Sequence, residues 1–364
     1  MKAAVLVETN KPVEIVNVDL LEPQPNEVMV RITAVAVCHS DLSAQKGDLP
    51  VPTPAVLGHE GAGIVEKVGD GVTSLQVGDK VVLTTAGSCG KCRYCWMGRP
   101  TLCEVFWERR RSGTMMDGTR RLRRKNGSEL NHFFFSSCFA EYSVVHERTA
   151  IKVPSNSPLD KVCLFGCGAT TGVGAVLNVA NVREGSSVAI FGCGGLGLSA
   201  LLAAKVAGAG NIICVDILDN KLAFARELGG DYSVNASKEN PIKRIRELTG
   251  GGADYCLEFA GNVDAIAQAV EACRPGGKIV VSGAPPAGSR VNLDWMDLLQ
   301  EKVLTGATQG ASVPGVDIPR YIEMFMAGKL PVDKLVTRTL PLEKINEALG
   351  FLERGEPGRS VIVF

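Results

Sequence analysis

The chain has no excess of charge of either sign: 39 Lys and Arg balance 39 Asp and Glu over 364 residues. Without a net field it is a poor candidate for binding nucleic acid, an anionic membrane surface or a strongly charged substrate. No apolar run approaches the roughly 20 residues that a transmembrane helix needs. The opening MKAAVLVETNKPVEI lacks the long apolar stretch of a signal peptide. No repeat with a period of about 20 to 50 residues is visible. These absences lead us to expect a soluble, cytoplasmic protein with neither a nucleic-acid nor a membrane partner.

Cysteine, in contrast, is abundant, at twelve residues. In a reducing compartment, cysteines are read first as metal ligands or reactive thiols. Cys89-x2-Cys92-x2-Cys95-x7-Cys103 places four of them in one short loop. Four thiolates so spaced suit a structural zinc, which is tetrahedral and closed to water. An iron–sulfur cluster also takes four cysteines, but the Cys-Pro ending of the compact bacterial ferredoxin run is absent. Cys138, Cys163, Cys193, Cys214, Cys256 and Cys273 fall mostly in apolar stretches and are expected to be small buried hydrophobes.

The length exceeds the ~250–300 residues at which single cores stop growing, so two domains are expected. Up to about residue 155, short β-like runs such as EVMVRITAVAVC, GAGIVEKVG, DKVVL and FAEYSVV are broken by Gly, Pro and Asp, as in a mostly antiparallel β domain. From about Ser186, strands alternate with helices: SSVAIFG, NIICVD, DYSV, ADYCLEF, KIVVSG and KVLTGA are the strand candidates. That alternation implies a doubly wound, parallel α/β sheet. The last ~55 residues, with two helices and the closing SVIVF, are too few for a further domain and are expected to return to the first. We divide the chain into 1–168, 169–308 and 309–364, the last completing the first. The basic stretch 104–137, with Arg109, Arg110, Arg111, Arg120, Arg121, Arg123, Arg124 and Lys125, is expected to be a solvated surface insertion.

Gly192-Cys193-Gly194-Gly195-Leu196-Gly197 follows the strand VAIF and opens a helix, and Asp216 ends the next strand. This is the setting of a dinucleotide-binding turn. Gly192 permits the tight turn, Gly194 lets the backbone approach a pyrophosphate, and Gly197 allows close helix–strand packing. The helix N-terminus offers free N–H groups and a partial positive charge to phosphates. Asp216 can accept from ribose hydroxyls and would repel a 2′-phosphate, which favours NAD over NADP.

Three further segments carry chemistry: Cys38-His39-Ser40-Asp41, Gly58-His59-Glu60-Gly61-Ala62-Gly63 and Gly166-Cys167-Gly168-Ala169-Thr170-Thr171-Gly172. With the cysteine loop and the glycine turn, they make the whole chain resemble the zinc-dependent alcohol dehydrogenases of the medium-chain dehydrogenase/reductase superfamily. The resemblance implies a Rossmann sheet beside a mainly β, GroES-like catalytic domain. It also implies two zinc ions per chain, NAD as the oxidant, and a small-molecule alcohol or aldehyde as substrate. Cys38, His59 and Cys167 match the ligands of a catalytic zinc, leaving one position for water or the substrate oxygen. Asp41 matches the acid that orients the ligating histidine, and Glu60 a glutamate close to the metal. Ser40 matches the hydroxyl that takes the alcohol proton. His39 and Arg359 match residues at the cofactor pyrophosphate, Lys221 a lysine near the adenosine ribose, and Thr171 a threonine at the nicotinamide face.

The chain also departs from the family pattern. Ser43 stands where many members have a histidine at the solvent end of the proton relay. The glutathione-dependent formaldehyde dehydrogenases share a similar insertion, but their thiol-binding acid and arginine fall, by ungapped count, on Leu49 and Trp107. Asp48 and Arg109 could replace them only if the loops shifted. By the same count Thr85 occupies a pocket position often filled by a bulky side chain, with Leu49, Leu102 and Trp107 nearby. A small Thr85 leads to the expectation of aromatic, allylic or medium-chain primary alcohols. The alternatives are a thiol-adduct substrate or a catalytically silent relative. The retained insertion resembles that of dimeric members, so a homodimer is expected.

Overall fold

A computed structural model describes residues 1–364. Three sheets organise it. The first is a small closed barrel of Lys2–Leu6, Glu14–Leu20, Leu122–Arg124, Glu129–His132 and Ala55–Val56. The second runs in the order Ala150–Lys152, Lys80–Leu83, Glu60–Val68, Glu27–Ala36, Arg359–Val363 and Val336–Pro341, with Tyr142–His146 also pairing with Glu27–Ala36. The third is entirely parallel, in the order Tyr232–Asn235, Asn211–Asp216, Ser187–Phe191, Ala253–Glu258, Cys273–Val281 and Val303–Gly306.

The parallel sheet uses all six expected strands. Its order reverses between Ser187–Phe191 and Ala253–Glu258, which makes a crevice at the carboxyl ends of these strands. The central strand Ser187–Phe191 is buried along its whole length because helices cover both faces. The closing strand does return to the first half of the chain: Val361, Ile362 and Val363 pair antiparallel with Ala36, Val35 and Ala34. The strand Val336–Pro341 beside it alternates half-buried and exposed residues and was absent from the sequence reading.

The basic stretch 104–137 is not a solvated insertion. Its hairpin, Leu122–Arg124 and Glu129–His132, supplies two strands of the barrel, and Leu122 and Leu130 are buried there. Arg121 is buried and donates to both oxygens of Glu27 at 2.8 Å and to Asp117 at 2.8 Å. A buried guanidinium needs such partners, so this charge serves the barrel. All six of the scattered cysteines are buried and all twelve thiols are free.

A helical segment links the two halves. Leu159–Val162 and a tight turn Cys163–Gly166 lead to Cys167, and Gly168–Gly174 continues as a wider turn through Ala175–Ala180. The apolar side chains of this segment join strands of both halves in one continuous core, from Ala34, Ala62 and Val361 to Val188, Ile190 and Leu201. No single helix is long and apolar enough to cross a membrane.

Candidate active site

The helix His39–Lys46 starts at Cys38, and Asp41 stands at its third position. One Asp41 oxygen accepts from the Cys38 N–H at 3.0 Å, which satisfies a helix-end donor. The other accepts from Gly58 N–H at 3.1 Å and lies 3.1 Å from His59 Nδ1. One buried carboxylate thus ends a helix and sets the angle of an imidazole. Phe133 and Phe134 pack edge-on against that ring at 5.3 Å and 5.4 Å, and further fix its plane.

With Nδ1 bound to Asp41, His59 Nε2 is left buried and without a partner. It faces Cys38, Glu60 and Cys167, and one ligand atom from each of the four residues lies within 4.8 Å of all the others. Two soft sulfurs, an unpartnered imidazole nitrogen and a carboxylate are a donor set suited to zinc. Cys167 holds the Cys38 thiol well below its usual range, against burial and with help from His59. Cys167 itself is pushed well up by Cys38 and by burial. Burial works against a charge on His59, but Asp41 and Cys38 outweigh it and raise its pKa. Burial pushes Glu60 up to about 8, opposed by Arg359.

Arg359 joins this site to the glycine turn. Its Nη2 donates to Glu60 at 2.6 Å, and Glu60 also accepts from Gly168 N–H at 3.2 Å. Its side chain lies against Gly195, where an added Cβ would stand 2.7 Å from Arg359 Cδ. Burial opposes the charge on Arg359, and Glu60 and Cys38 restore it.

The glycine turn has the geometry that its sequence suggests. Gly192 has φ 94°, in the left-handed region, and a Cβ there would stand 2.7 Å from Ala260 N. A Cβ on Gly197 would overlap the Gly192 carbonyl oxygen, whereas one on Gly194 would meet nothing within 4 Å. The helix Gly195–Val206 begins here. Asp216 accepts from Cys193 N–H at 2.8 Å, Ile217 N–H at 2.8 Å and Leu218 N–H at 3.1 Å. Its charge is thereby held beside the turn, and the open backbone and free helix end suit a dinucleotide.

Ser40 Oγ is 3.9 Å from Cys38 Sγ, and Ser43 lies further along the same helix, half-buried. Thr171 is buried and donates to the Cys167 carbonyl at 2.8 Å. His39 is exposed at the helix start and Lys221 is half-exposed on Asp219–Glu227. Thr85 is buried, and its N–H lies 3.4 Å from the Gly166 carbonyl, next to Cys167. Gln309 reaches across to the Thr85 hydroxyl. Arg109, Asp48 and Trp107, the positions relevant to a thiol adduct, make other contacts or face solvent. Arg109 donates to the Met116 carbonyl at 2.8 Å, Asp48 is exposed, and the Trp107 indole donates to the Thr101 carbonyl at 2.9 Å.

The second cluster is the cysteine loop. Ligand atoms of Cys89, Cys92, Cys95 and Cys103 lie within 4.8 Å of one another. The backbone N–H groups of Cys95 and Glu104 bring Cys92 down to about 6, while burial pushes Cys95 up to about 12.

Residues 24–155 match the alcohol dehydrogenase GroES-like domain and 195–325 the zinc-binding dehydrogenase domain. An alcohol dehydrogenase zinc-binding domain protein from Burkholderia ambifaria is 41% identical, with a TM-score of 0.96 over 100% of this chain and 98% of its own. The chain belongs to the zinc-dependent alcohol dehydrogenases of the medium-chain dehydrogenase/reductase superfamily. Within that family, benzyl alcohol dehydrogenase from Acinetobacter calcoaceticus is 39% identical, with a TM-score of 0.95 over 100% of this chain and 99% of its own. Alcohol dehydrogenase TADH from Thermus sp. ATN1 is 29% identical, with a TM-score of 0.85 over 100% and 99%. Four-cysteine and Cys38/His59/Glu60/Cys167 zinc sites accord with this membership.

The sequence reading did not single out Phe133, Phe134, Gln309 or Asn178. The run FFF in a basic stretch was the available signal for the first two. Gln309 and Asn178 are ordinary polar residues whose placement depends on long-range packing.

Proposed function

We propose that this enzyme uses NAD to interconvert primary alcohols and aldehydes, with aromatic, allylic or medium-chain alcohols preferred. The observation that carries the reading is the contiguity of the two sites. Arg359 touches Glu60 of the metal cluster and Gly195 of the glycine turn at once. A nicotinamide whose diphosphate rests at that turn could therefore reach an alcohol beside Cys38 and Cys167. The similarity to a benzyl alcohol dehydrogenase supports the aromatic choice.

Cys38, His59 and Cys167 would hold the catalytic zinc, with Glu60 alongside, and Cys89, Cys92, Cys95 and Cys103 a structural one. Zinc in the first site supplies a Lewis acid that favours the ionised alcohol near neutral pH. Asp41 orients His59 and raises its basicity. Ser40, beside Cys38, takes the alcohol proton, and transfer onward past Ser43 needs water because that side chain is short. Gly192, Gly194, Gly195, Leu196 and Gly197 cradle the diphosphate, with Arg359 and His39 supplying positive charge. Asp216 and Lys221 address the adenosine ribose, and Thr171 packs at the nicotinamide face. Residues 1–168 with 309–364 form the catalytic domain, and 169–308 the nucleotide domain. Twelve cysteines, six of them proposed zinc ligands and none in a disulfide, fit a reducing, cytoplasmic compartment.

The strand Val303–Gly306 is an unpaired edge of the parallel sheet, with Val303 and Leu304 exposed. The neighbouring helix Trp295–Leu299 exposes Trp295, Leu298 and Leu299. A second copy meeting this edge would cover both, and we assign a homodimer through it. The functional reading is tested by NAD reduction across ethanol, octanol, benzyl and cinnamyl alcohols. Benzyl or cinnamyl alcohol should exceed ethanol in kcat/KM by about tenfold or more, about 1.4 kcal/mol. Ethanol as the best substrate would overturn the preference.

A further inference from the structure

Thr85 and Gln309 meet near Cys167, coming from the two halves of the chain. Thr85 follows the strand Lys80–Leu83, which pairs with the strand that begins at Glu60. Its backbone bonds to Gly166, the neighbour of Cys167. Gln309 comes from the turn Thr308–Ala311 after the last strand of the parallel sheet. The Gln309 carboxamide nitrogen donates to Thr85 Oγ1. The Thr85 hydroxyl is therefore met by an amide, and its surroundings are not purely apolar.

The backbone is strained to bring Gln309 there. Gln309, Gly310 and Ala311 have φ values of 47°, 62° and 49°, three consecutive left-handed residues, two of which are not glycine. Such conformations persist only where the surroundings enforce them, and they gather at ligand sites. Here the enforcement comes from the helix that begins at Cys167. A Cβ on Gly174 would stand 2.5 Å from the Gly310 carbonyl oxygen, so only glycine admits the turn. Asn178 Nδ2 lies 3.4 Å from that same oxygen and 3.0 Å from Tyr321 Oη. Asp317 accepts from Val313 N–H at 2.7 Å and closes the turn's far end. The position of Gln309 is thus registered to a metal ligand.

Gln309 Oε1 is buried and has no partner. A buried acceptor without a donor calls for an explanation. Because Thr85 Oγ1 accepts from Gln309, the Thr85 hydroxyl hydrogen remains available to donate. Side by side, these two groups offer one donor and one acceptor, which is what a hydroxyl group can satisfy in both directions.

We infer that Gln309 and Thr85 form a hydrogen-bonding wall of the alcohol pocket. It selects aromatic or allylic alcohols that carry a second hydroxyl, such as a ring hydroxyl, away from the reacting group. The inference rests on the proposed alcohol-oxidising function and names its substrate class more narrowly. A site built to bond a substrate hydroxyl discriminates against analogues lacking it, since its own polar groups are then left unpaired.

The test is kcat/KM for zinc-replete enzyme on benzyl alcohol and its 3- and 4-substituted hydroxy, methoxy and methyl derivatives. The methoxy compounds control for electron donation to the ring. The better hydroxy isomer should exceed its methoxy and methyl counterparts by about tenfold or more. Gln309→Met and Thr85→Val should each bring that ratio to within about twofold. Should Gln309→Met fail to fold, Thr85→Val carries the comparison alone. Turnover of benzyl alcohol without any hydroxyl preference would overturn the inference and leave the alcohol dehydrogenase reading standing. An unchanged ratio in Gln309→Met, with a raised KM for NAD, would overturn it by assigning Gln309 to the cofactor. No turnover of any alcohol by zinc-loaded protein would overturn the functional reading, and the inference with it.

Discussion

Asp41 shows how one residue serves both structure and chemistry. Its two oxygens accept from Cys38 N–H and Gly58 N–H while one also meets His59. Asp41→Asn keeps the size but loses the charge that favours this imidazole orientation. Affinity at the first zinc site should fall about 10–100-fold, read by competition with a chelator. Affinity at the cysteine loop should not change. His132 lies in the barrel instead, accepting from the Arg121 backbone N–H at 3.0 Å. Burial, reinforced by Arg121 and Arg120, brings its pKa down to about 3. Below the unfolded value of about 6.5, the unfolded chain therefore binds a proton that the folded chain does not. Stability from this group falls as pH drops from about 6.5 toward about 3, by about 1.4 kcal/mol per pH unit at most. His132→Gln should flatten that part of the pH dependence in thermal unfolding. An identical profile for the two proteins would contradict it.

Among the elements, those with strong local signals were legible in the sequence. The parallel sheet announces itself because four of its six strands, Ser187–Phe191, Asn211–Asp216, Tyr232–Asn235 and Ala253–Glu258, are each followed by a helix. The barrel was not legible. Ala55–Val56 and Leu122–Arg124 are too short to carry a period, and the latter lies in a basic stretch whose buried Arg121 is compensated by the sequence-distant Glu27. The metal cluster could be assembled residue by residue only from the family resemblance, since Cys38, His59 and Cys167 come from separate elements. Gln309 had no signal, because its strained turn is enforced by Gly174 and Asn178 on another element. The cysteine loop, read directly from its spacing, permits a prediction at this scale. Cys92→Ser should lower the melting temperature or the soluble yield before it alters kcat/KM per folded molecule, because the loop is a closed structural site. For the glycine turn, the wild type should prefer NAD to NADP by about tenfold or more, and Asp216→Ala should narrow the gap. Equal use of both cofactors by the wild type would refute the role of Asp216.

At the scale of the molecule, the helical segment around Cys167 binds the two halves into one core, and Arg359 spans the seam. The apolar edge at Trp295–Leu299 and Val303–Gly306 is the surface that we assign to a second copy. Leu298→Asp combined with Leu304→Asp should convert a dimer to a monomer in light scattering. A wild-type monomer at micromolar concentration would contradict that assignment. The claim on which the rest depends is that Cys38, His59 and Cys167 hold a zinc needed for turnover, apart from the zinc of the cysteine loop. The most direct measurement is zinc content per chain, taken with alcohol-dependent NAD reduction, for the wild type and Cys38→Ser purified without chelator. Two zinc ions and activity are expected in the wild type, and one zinc ion, a retained fold and no activity in Cys38→Ser. A wild type without zinc, or a Cys38→Ser variant that keeps both its zinc and its turnover, would contradict it.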